Sequence, residues 1–545
     1  MLDRLRNFSF SLGERWTYGL LLGYLFTVYV LGYATVLSDQ ERVLLASPIF
    51  VFGNIVVGFG ARKIATSLSR KKIDLSTLAL LVADYFIGAS LIFAFAICLD
   101  LLNALSMGLV LLFIISVGTF GFLLTFRANQ TNTVTRFSLL NDIGGIVAIS
   151  SGVLASLFYW SLLTFPEVFD TVLPMHNRVV IDTLNGHPLT SSPIPIWVTM
   201  SSYLDIALGA YVGNVQPATL FWGLPVVFFS LFSLGVYLFT LKISGDKVHA
   251  LAASVVSPWL MTMMGVFQEN YSVTPRDFLY MLFPIALYLV LETTKSIHKV
   301  QIRKLLFVTF IVPAIYAITA FLAYSLLSNS SVLWTWQVVP TAVVWPIIYC
   351  LLHFKVIRGS QIIVFLPLYV FLTYHTAEGS LYAFTVSAFF FYLRFSRSLL
   401  PYLASIMALL GIGITILVNY LGLLPQWFYN SFTSFPIFIF TLAHMQLASN
   451  IQSTIVPISD RVSWLIWGNT AIFLGLFLIA WMTEIGLRKR DLAIALTLVP
   501  VFCIYFIPWP EMTRIAATGV PFFFYILGKI ISSGYGRAFK GAFLN

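Results

Sequence analysis

The sequence predicts an all-α polytopic membrane protein with about 16 transmembrane helices, or about 14 plus a re-entrant hairpin. Of its 545 residues, 59% are hydrophobic and only 10% are charged, whereas soluble domains carry about 25% charged residues. Apolar runs also recur at close to the ~20 residues that a helix needs to cross a bilayer. These features exclude a water-soluble enzyme, a disordered chain and a coiled coil.

Windows of about 19 residues place the predicted spans along the chain. They are 17–37, 43–60, 76–97, 104–126, 138–163, 217–241, 249–267, 278–292, 305–327, 336–353, 361–374, 380–393, 401–422, 464–482, 491–509 and 515–531. The segments 361–374 and 380–393 hold only about 14 residues each, too few for a crossing helix. The sequence therefore leaves two possibilities for this region. It forms either two spans or one re-entrant hairpin with His375 to Gly379 at its tip.

The distribution of lysine and arginine predicts the orientation, because loops rich in these residues translocate poorly and stay cytoplasmic. With a cytoplasmic N-terminus, 26 of the 31 basic residues fall in inner segments. The five outer ones are Arg42, Arg178, Arg276, Arg461 and Arg514. We expect a multi-pass protein of the cell membrane with both termini in the cytoplasm. The net charge of +10 reflects these inner loops, and no basic tract indicates a nucleic-acid partner.

Two outer segments, 164–216 and 423–463, are long enough to hold structure of their own, and long loops beside a compact bundle are usually functional. The first is polar at its start and apolar after Pro195. The apolar half, Ile196 to Val212, predicts a helix lying on the membrane surface. The polar half contains Glu167, Asp170, His176, Arg178 and Asp182. Such an arrangement would hold carboxylates just above the outer leaflet.

This first long outer loop resembles that of the GT-C superfamily of integral membrane glycosyltransferases. The resemblance rests on an acid near the membrane (Glu167, Asp170), a histidine a few residues on (His176), a Gly-x-Pro turn (Gly186, Pro188) and the juxtamembrane helix. It covers roughly 138–545 and leaves 1–137 as an N-terminal four-helix membrane extension. The loop lacks the Asp-x-Asp pattern of many members, and the chain has no Trp-Trp-Asp-Tyr-Gly motif.

The resemblance implies transfer of a sugar from a polyprenyl-phosphate donor to a glycan, lipid or protein acceptor on the extracytoplasmic side. A carboxylate in the first loop would act as the general base, and arginines would hold the phosphate through their planar fork of donors. Asp170 is the expected base, with Glu167 and Asp182 as further candidates and His176 as an orienting residue. Each of these residues could instead be an ordinary surface residue, such as a carboxylate that caps a loop helix.

Later outer loops would supply the contacts to the substrate. The candidates are Arg276 and Arg514 at the outer ends of two spans, and His375 and Glu378 at the hairpin tip. Each arginine could instead be an interfacial anchor whose stem lies along apolar surface. We expect no cofactor and no metal site, since the three cysteines lie far apart in apolar stretches and no further ligand accompanies the His375 and Glu378 pair.

Two other functions fit the same composition. A transporter or lipid flippase would explain Asp84, because ionisable residues inside spans are costly and commonly functional, although no internal repeat accompanies it. A polymerase or ligase of the O-antigen type would place its chemistry in 423–463, with His444 and Arg461. Alanine substitutions in the two long outer loops would separate the ligase from the GT-C interpretation.

Overall fold

The computed structural model describes most of the N-terminal half of the chain and separate stretches of the rest. The described residues are 9–10, 14–34, 36–69, 76–127, 137–162, 173–186, 200–263, 275–293, 366–371, 373, 376–395, 398–399, 402–407, 410, 489–505 and 519–544. Almost all of them are helical. One short antiparallel pair joins β1 (Ser9–Phe10) to β2 (Phe137–Ser138).

The helices follow the predicted apolar segments closely. They are α1 (Glu14–Tyr33), α2 (Asp39–Ala46), α3 (Ile49–Ser69), α4 (Thr77–Leu101), α5 (Met107–Arg127), α6 (Leu139–Leu162), α7 (Leu173–Leu184), α8 (Met200–Gly213), α9 (Pro217–Ser244), α10 (Lys247–Met263), α11 (Pro275–Thr293), α12 (Thr376–Phe395), α13 (Lys489–Tyr505) and α14 (Val520–Leu544). The all-α class is therefore confirmed for the described part of the chain.

Within the described residues, four helical runs are long and apolar enough to cross a membrane. They are Asp39–Leu68, Leu78–Asp100, Met107–Phe126 and Pro217–Ser244. The run Asp39–Leu68 contains both α2 and α3. Several long apolar helices thus support a membrane-embedded protein. The predicted spans 305–327, 336–353 and 464–482 lie outside the described residues, so the predicted number of spans stays a prediction.

The second half of the proposed hairpin is longer than its apolar core. Helix α12 has 20 residues, Thr376–Phe395, and extends the predicted segment 380–393 at both ends. The backbone of Thr376 to Gly379, predicted as a tip, forms the first turn of this helix. Helix α12 is not among the four described runs that are long and apolar enough to cross a membrane, so the choice between two spans and a re-entrant hairpin stays a prediction.

The chain divides into two compact units. The first comprises Met1–Lys247, Phe267–Lys295 and Ile357–Gly379, and the second comprises Val248–Val266, Ser296–Val356 and Ser380–Asn545. Helices α1 to α5 thus share a unit with α6 to α9 and α11. The proposed division into 1–137 and 138–545 stays a prediction.

Within the first unit, helix α3 is central, and glycines let its neighbours approach closely. A side chain on Gly58 of α3 would overlap the backbone oxygen of Asp84 on α4, and one on Gly88 of α4 would overlap that of Asn54 on α3. On the α5 side, a Cβ on Gly121 would overlap Gly60 of α3. Small residues at helix interfaces are how membrane helices pack tightly. These glycines set the register of α3 against both neighbours.

Aromatic side chains join α3 to the later helices of the first unit. The rings of Phe50 on α3, Phe228 on α9 and Phe278 on α11 form a cluster with centroid separations of 4.7 to 5.5 Å. All three side chains are buried. Helix α6 packs on α9, where the Ser156 hydroxyl donates to the carbonyl oxygen of Pro225 at 3.2 Å. The first unit is therefore one continuous core rather than a row of separate hairpins.

Replacing Gly88 tests this close packing. We expect Gly88→Val to lower the melting temperature of the purified protein, because over-packing a tight interface costs about 1–3 kcal/mol. A Cβ added at Gly23 on α1 would meet no other atom within 4 Å, so Gly23→Ala is the matched control and should be neutral or slightly stabilising. Equal melting temperatures for Gly88→Val and wild type would contradict the α3–α4 packing.

In the second unit, α10 and α14 are in close contact, where a Cβ on Gly528 would lie 2.6 Å from the Cβ of Ala253. The imidazole Nε2 of His249 hydrogen-bonds the backbone oxygen of Tyr525 at 2.6 Å. The Tyr525 hydroxyl donates to Asp491 Oδ1 at 2.6 Å, which joins α14 to α13. All three polar side chains are buried, so their hydrogen bonds help to hold these helices together.

Candidate functional site in the first long outer segment

The predicted first outer segment folds into two helices, α7 and α8. Helix α7 is amphipathic: Val179, Val180 and Thr183 are buried, as is His176, whereas Arg178 is exposed. Their spacing of three and four residues is that of one helix face. Helix α7 therefore lies against the protein with one face and leaves the other open.

His176 makes a short contact with α8. Its Nδ1 atom lies 2.5 Å from the hydroxyl of Tyr203, and the two ring centroids are 5.7 Å apart. Both side chains are buried, His176 to 6% and Tyr203 to 0% residual exposure. If Nδ1 accepts this hydrogen bond, the imidazole proton lies on Nε2. His176 therefore joins α7 to α8, where the sequence predicted an orienting residue in the active site.

The end of α7 is fixed by a tight turn. Gly186 has a φ of +75°, a left-handed conformation that glycine adopts without steric cost. A Cβ at this position would lie 2.6 Å from the backbone oxygen of Leu105, in the connection between α4 and α5. The predicted turn at Gly186 is thus present and packs on this connection, whereas Pro188 lies outside the described residues.

Helix α8 differs from its prediction in one respect. A helix is present where one was predicted, but residues 201–210 are all buried, whereas a helix on a membrane surface would leave one face to solvent or headgroups. Helix α8 packs against α1, α2, α3 and α9. Its small residues, among them Ser201, Ser202, Ala207 and Gly209, allow this enclosure. The prediction of a surface helix is therefore wrong.

Polar side chains on α8 face two different neighbours. Tyr203 contacts His176 on α7, and Asp205 accepts a hydrogen bond at 3.3 Å from the Asn54 amide of α3. Residues two apart on a helix lie about 200° apart around its axis, so these contacts are on opposite sides. Asp205 and Asn54 are buried to 4% and 1% residual exposure. Helix α8 therefore connects the outer segment to the centre of the first unit.

Asp84, the residue that suggested transport, is held in an ion pair. The Arg62 Nε donates to Asp84 Oδ1 at 2.7 Å, and Arg62 Nη2 donates to Asp84 Oδ2 at 2.9 Å. The Tyr18 hydroxyl also donates to Oδ2, and the Tyr18 ring stacks on Phe59 at 3.5 Å between centroids. Arg62 and Asp84 are both buried. This pair joins α3 to α4, and Tyr18 adds α1.

The described residues bring few of the predicted site residues together. His176 and Asp182 share α7, but a separation of six residues puts them about 240° apart around the helix, and Asp182 is half-buried. Arg276 and Glu378 lie in the first turns of α11 and α12, and only their backbone is described. Glu167, Asp170, His375 and Arg514 lie wholly outside the described residues, so convergence of Asp170, Arg276 and Arg514 stays a prediction.

Several of the polar contacts were not predicted. Tyr203, Asn54, Arg62 and Tyr18 are not among the predicted site residues. The one available signal was a run of polar residues, Ser201-Ser202-Tyr203-Leu-Asp205, inside an otherwise apolar segment. Among the described residues, no group of three or more His, Cys, Asp or Glu side chains is placed to bind a metal ion.

The site is therefore a segment with a buried inner side and an open outer side. Its inner side holds His176, Tyr203 and Asp205, and its outer side presents Arg178 and Asp182. No protein-family model, curated protein or solved structure matches this chain.

Proposed function

We propose that the protein is an integral membrane glycosyltransferase that transfers a sugar from a polyprenyl-phosphate donor to an acceptor on the extracytoplasmic side. The acceptor is a glycan, a lipid or a protein. The proposal combines the polytopic composition with the resemblance of the first outer loop to the GT-C superfamily. It includes the finer topology of about 16 spans, with both termini in the cytoplasm of a cell membrane.

One observation carries the proposal furthest: the first long outer segment is anchored in the helical core. The His176–Tyr203 contact and the enclosure of α8 hold α7 in place, and Asp170 precedes the first residue of α7, Leu173, by three residues. A catalytic group needs a rigid support to keep its geometry.

In the proposed reaction, the acceptor hydroxyl oxygen attacks the anomeric carbon of the donor sugar. Asp170 takes the hydroxyl proton, a new glycosidic bond forms, and the bond between the anomeric carbon and the phosphate oxygen breaks. The electron pair of that bond stays with the polyprenyl phosphate. Arg276 and Arg514 stabilise the negative charge on this leaving group through charge-assisted hydrogen bonds. Glu167 and Asp182 are the further candidates for the base, and His375 and Glu378 for acceptor contacts.

The contacts of Asp84 bear on the rival transport function. A carboxylate that binds and releases a transported ion must exchange partners during each cycle. Asp84 instead receives two hydrogen bonds from Arg62 and one from Tyr18 in a buried site. A structural role explains this arrangement, so Asp84 gives no support to transport.

The proposed orientation has its own test. In a variant without native cysteines, we expect His187→Cys to react with a membrane-impermeant maleimide in intact cells, because 164–216 faces outward. Ser296→Cys, in the basic segment 293–304, is the control and should react only after permeabilisation. The opposite pattern would reverse the orientation and remove the outer loops from the extracytoplasmic side.

The function itself is tested with purified protein in liposomes, supplied with polyprenyl-phosphate sugars and a panel of glycan, lipid and peptide acceptors. We expect sugar transfer and release of polyprenyl phosphate by the wild type, unaffected by EDTA because the proposed site holds no divalent metal. Transport of a lipid-linked sugar without transfer would contradict the proposal.

A further inference from the structure

We infer that α7 and α8 enter the membrane from the outer side, where α8 reaches the centre of the bilayer and the open face of α7 lines a water-filled cleft. The cleft admits small hydrophilic ligands to this depth. The outer side is here the side of the α4–α5 connection. This inference does not rest on the proposed glycosyltransferase activity, and it goes beyond the enclosure of α8, since a helix can be enclosed at any depth.

The C-terminal end of α8 lies at the outer ends of the membrane helices. A Cβ on Gly32, at the end of α1, would lie 2.8 Å from the backbone carbonyl of Gly213. A Cβ on Gly108, at the start of the apolar run Met107–Phe126, would lie 3.2 Å from the Tyr211 hydroxyl. The last turn of α8 is therefore at the level where these helices enter the membrane from the outer side.

The middle of α8 lies much deeper. Asp205 accepts the hydrogen bond from the Asn54 amide at 3.3 Å, and Asn54 is close to the middle of the run Asp39–Leu68. A Cβ on Gly88 of α4 would overlap the backbone oxygen of the same asparagine, and Gly88 is close to the middle of the run Leu78–Asp100. Two helices of membrane-crossing length thus independently place Asp205 near the centre of the bilayer.

The length of α8 agrees with this depth. From Asp205 to Gly213 a helix rises by about 12 Å, at about 1.5 Å per residue, and half of the hydrocarbon core is roughly 15 Å thick. The whole helix has 14 residues, which is too short to cross the core. Because its C-terminal end is at the outer level, its N-terminal end lies inside the membrane. Helix α8 is therefore re-entrant.

The surroundings of α8 fit such a position. Helix ends carry backbone groups without a partner inside the helix, and a membrane tolerates such groups only where protein or water covers them. Residues 201–210 are all buried, in contact with α1, α2, α3, α7 and α9. The described part of α8 is thus covered by protein rather than by acyl chains.

Helix α7 follows α8 into the membrane. Its C-terminal end is at the outer level, because Gly186 packs on the backbone oxygen of Leu105 in the α4–α5 connection. His176, ten residues earlier, contacts the Tyr203 hydroxyl at 2.5 Å. Tyr203 precedes Asp205 and so lies on its deeper side. The two helices therefore run side by side from the outer level toward the centre of the bilayer.

The open face of α7 is polar along this path. Arg178 and Asn185 are exposed and Asp182 is half-buried, and their spacing of four and three residues puts them on one face. Arg178 follows His176 by two residues, so it belongs to the part of α7 below the outer level. A charged side chain at the bilayer centre costs at least ~2.5 kcal/mol, and such residues face protein or a water-filled cavity. The polar face of α7 therefore lines water rather than acyl chains.

The experiment is thiol labelling of variants without native cysteines, in intact cells, with a small cationic methanethiosulfonate or with a maleimide attached to a bulky polymer. We expect Arg178→Cys to react with the small reagent and not with the bulky one, because the cleft is narrow. His187→Cys, next to Gly186 at the outer level, should react with both. Leu112→Cys is the matched control, because Leu112 is 58% exposed within the apolar run Met107–Phe126, faces lipid and should react with neither.

Two labelling results would overturn the inference. Reaction of Arg178→Cys with both reagents would put α7 on the membrane surface, and reaction with neither would leave Arg178 facing lipid without a cleft. A cryo-EM structure of the wild type in a lipid nanodisc provides a second measurement that needs no variant. We expect Asp205 near the middle of the lipid density, and a position at or above its outer edge would overturn the re-entrant placement. Neither measurement depends on sugar transfer.

Discussion

Replacing Asp84 with asparagine is expected to destabilise the protein severely. It leaves the Arg62 guanidinium buried without its carboxylate, and breaking a buried ion pair in this way costs about 3–5 kcal/mol. The same reasoning applies to Arg62→Met, which leaves Asp84 buried without its cation. We expect both single variants to melt at clearly lower temperatures than the wild type, or to be recovered in low yield.

The double variant distinguishes an ion pair from a simple packing effect. Arg62→Met with Asp84→Leu removes both charges and keeps apolar volume, and replacing a whole buried pair is often neutral or stabilising. We therefore expect the double variant to be more stable than either single variant. A double-mutant cycle of the wild type, Arg62→Met, Asp84→Leu and the double variant measures this coupling. Additive losses would show that the two charges do not compensate each other.

A second ion pair of the same unit serves as the control. Lys242 on α9 pairs with Glu292 on α11, and these side chains are 40% and 18% exposed. Ion pairs with such access to solvent contribute about 0–1 kcal/mol. Lys242→Met should therefore change the melting temperature little. A loss as large as that of Asp84→Asn would mean that burial is not the cause of the difference.

The helices of this protein could be predicted because an apolar run is itself the signal. The segment 76–97 became α4, Thr77–Leu101, and 217–241 became α9, Pro217–Ser244. The ends differ by a few residues because polar residues can continue a helix beyond the apolar run. Segment 380–393 was underestimated for this reason, since α12 includes Glu378 and Arg394.

Pairings between helices could not be predicted, because they depend on register. Arg62 lies in a basic stretch that indicates a cytoplasmic loop, yet its side chain is buried against Asp84, 22 positions along the chain. The glycine contacts of α3 and α4 align these two residues, and composition does not reveal that alignment. The enclosure of α8 was missed similarly, because a short helix with small residues fits either a surface or a tight interface.

The candidate site was predicted in part. The sequence indicated that 164–216 holds structure, and α7 and α8 are present there. It did not indicate which face of α7 is buried, so the contact between His176 and Tyr203 was not predicted. Periodicity gives the angle between residues on one helix, but the identity of the neighbouring helix decides which face is buried. Arg178 and Asp182 lie on the more open side of α7.

Asp170→Asn is expected to have the largest effect on activity. Asparagine preserves the size and hydrogen-bonding capacity of the side chain but cannot accept the proton, so transfer should fall by roughly 10²-fold or more. Folding and donor binding should persist, and kcat rather than KM should change. Arg276→Ala and Arg514→Ala should instead weaken donor binding as well as turnover, since a hydrogen bond to a charged group contributes about 1.5–3 kcal/mol.

The control for this experiment lies in the same segment. Asp182→Asn changes a half-buried carboxylate of α7 and should leave most of the transfer rate if Asp170 is the base. Melting temperatures equal to the wild type would show that both variants are folded. Full activity in Asp170→Asn with a loss in Asp182→Asn or in Glu167→Gln would move the proton acceptor to that residue. Full activity in all three would place the proton acceptor outside the polar stretch 164–194, which contains no other carboxylate.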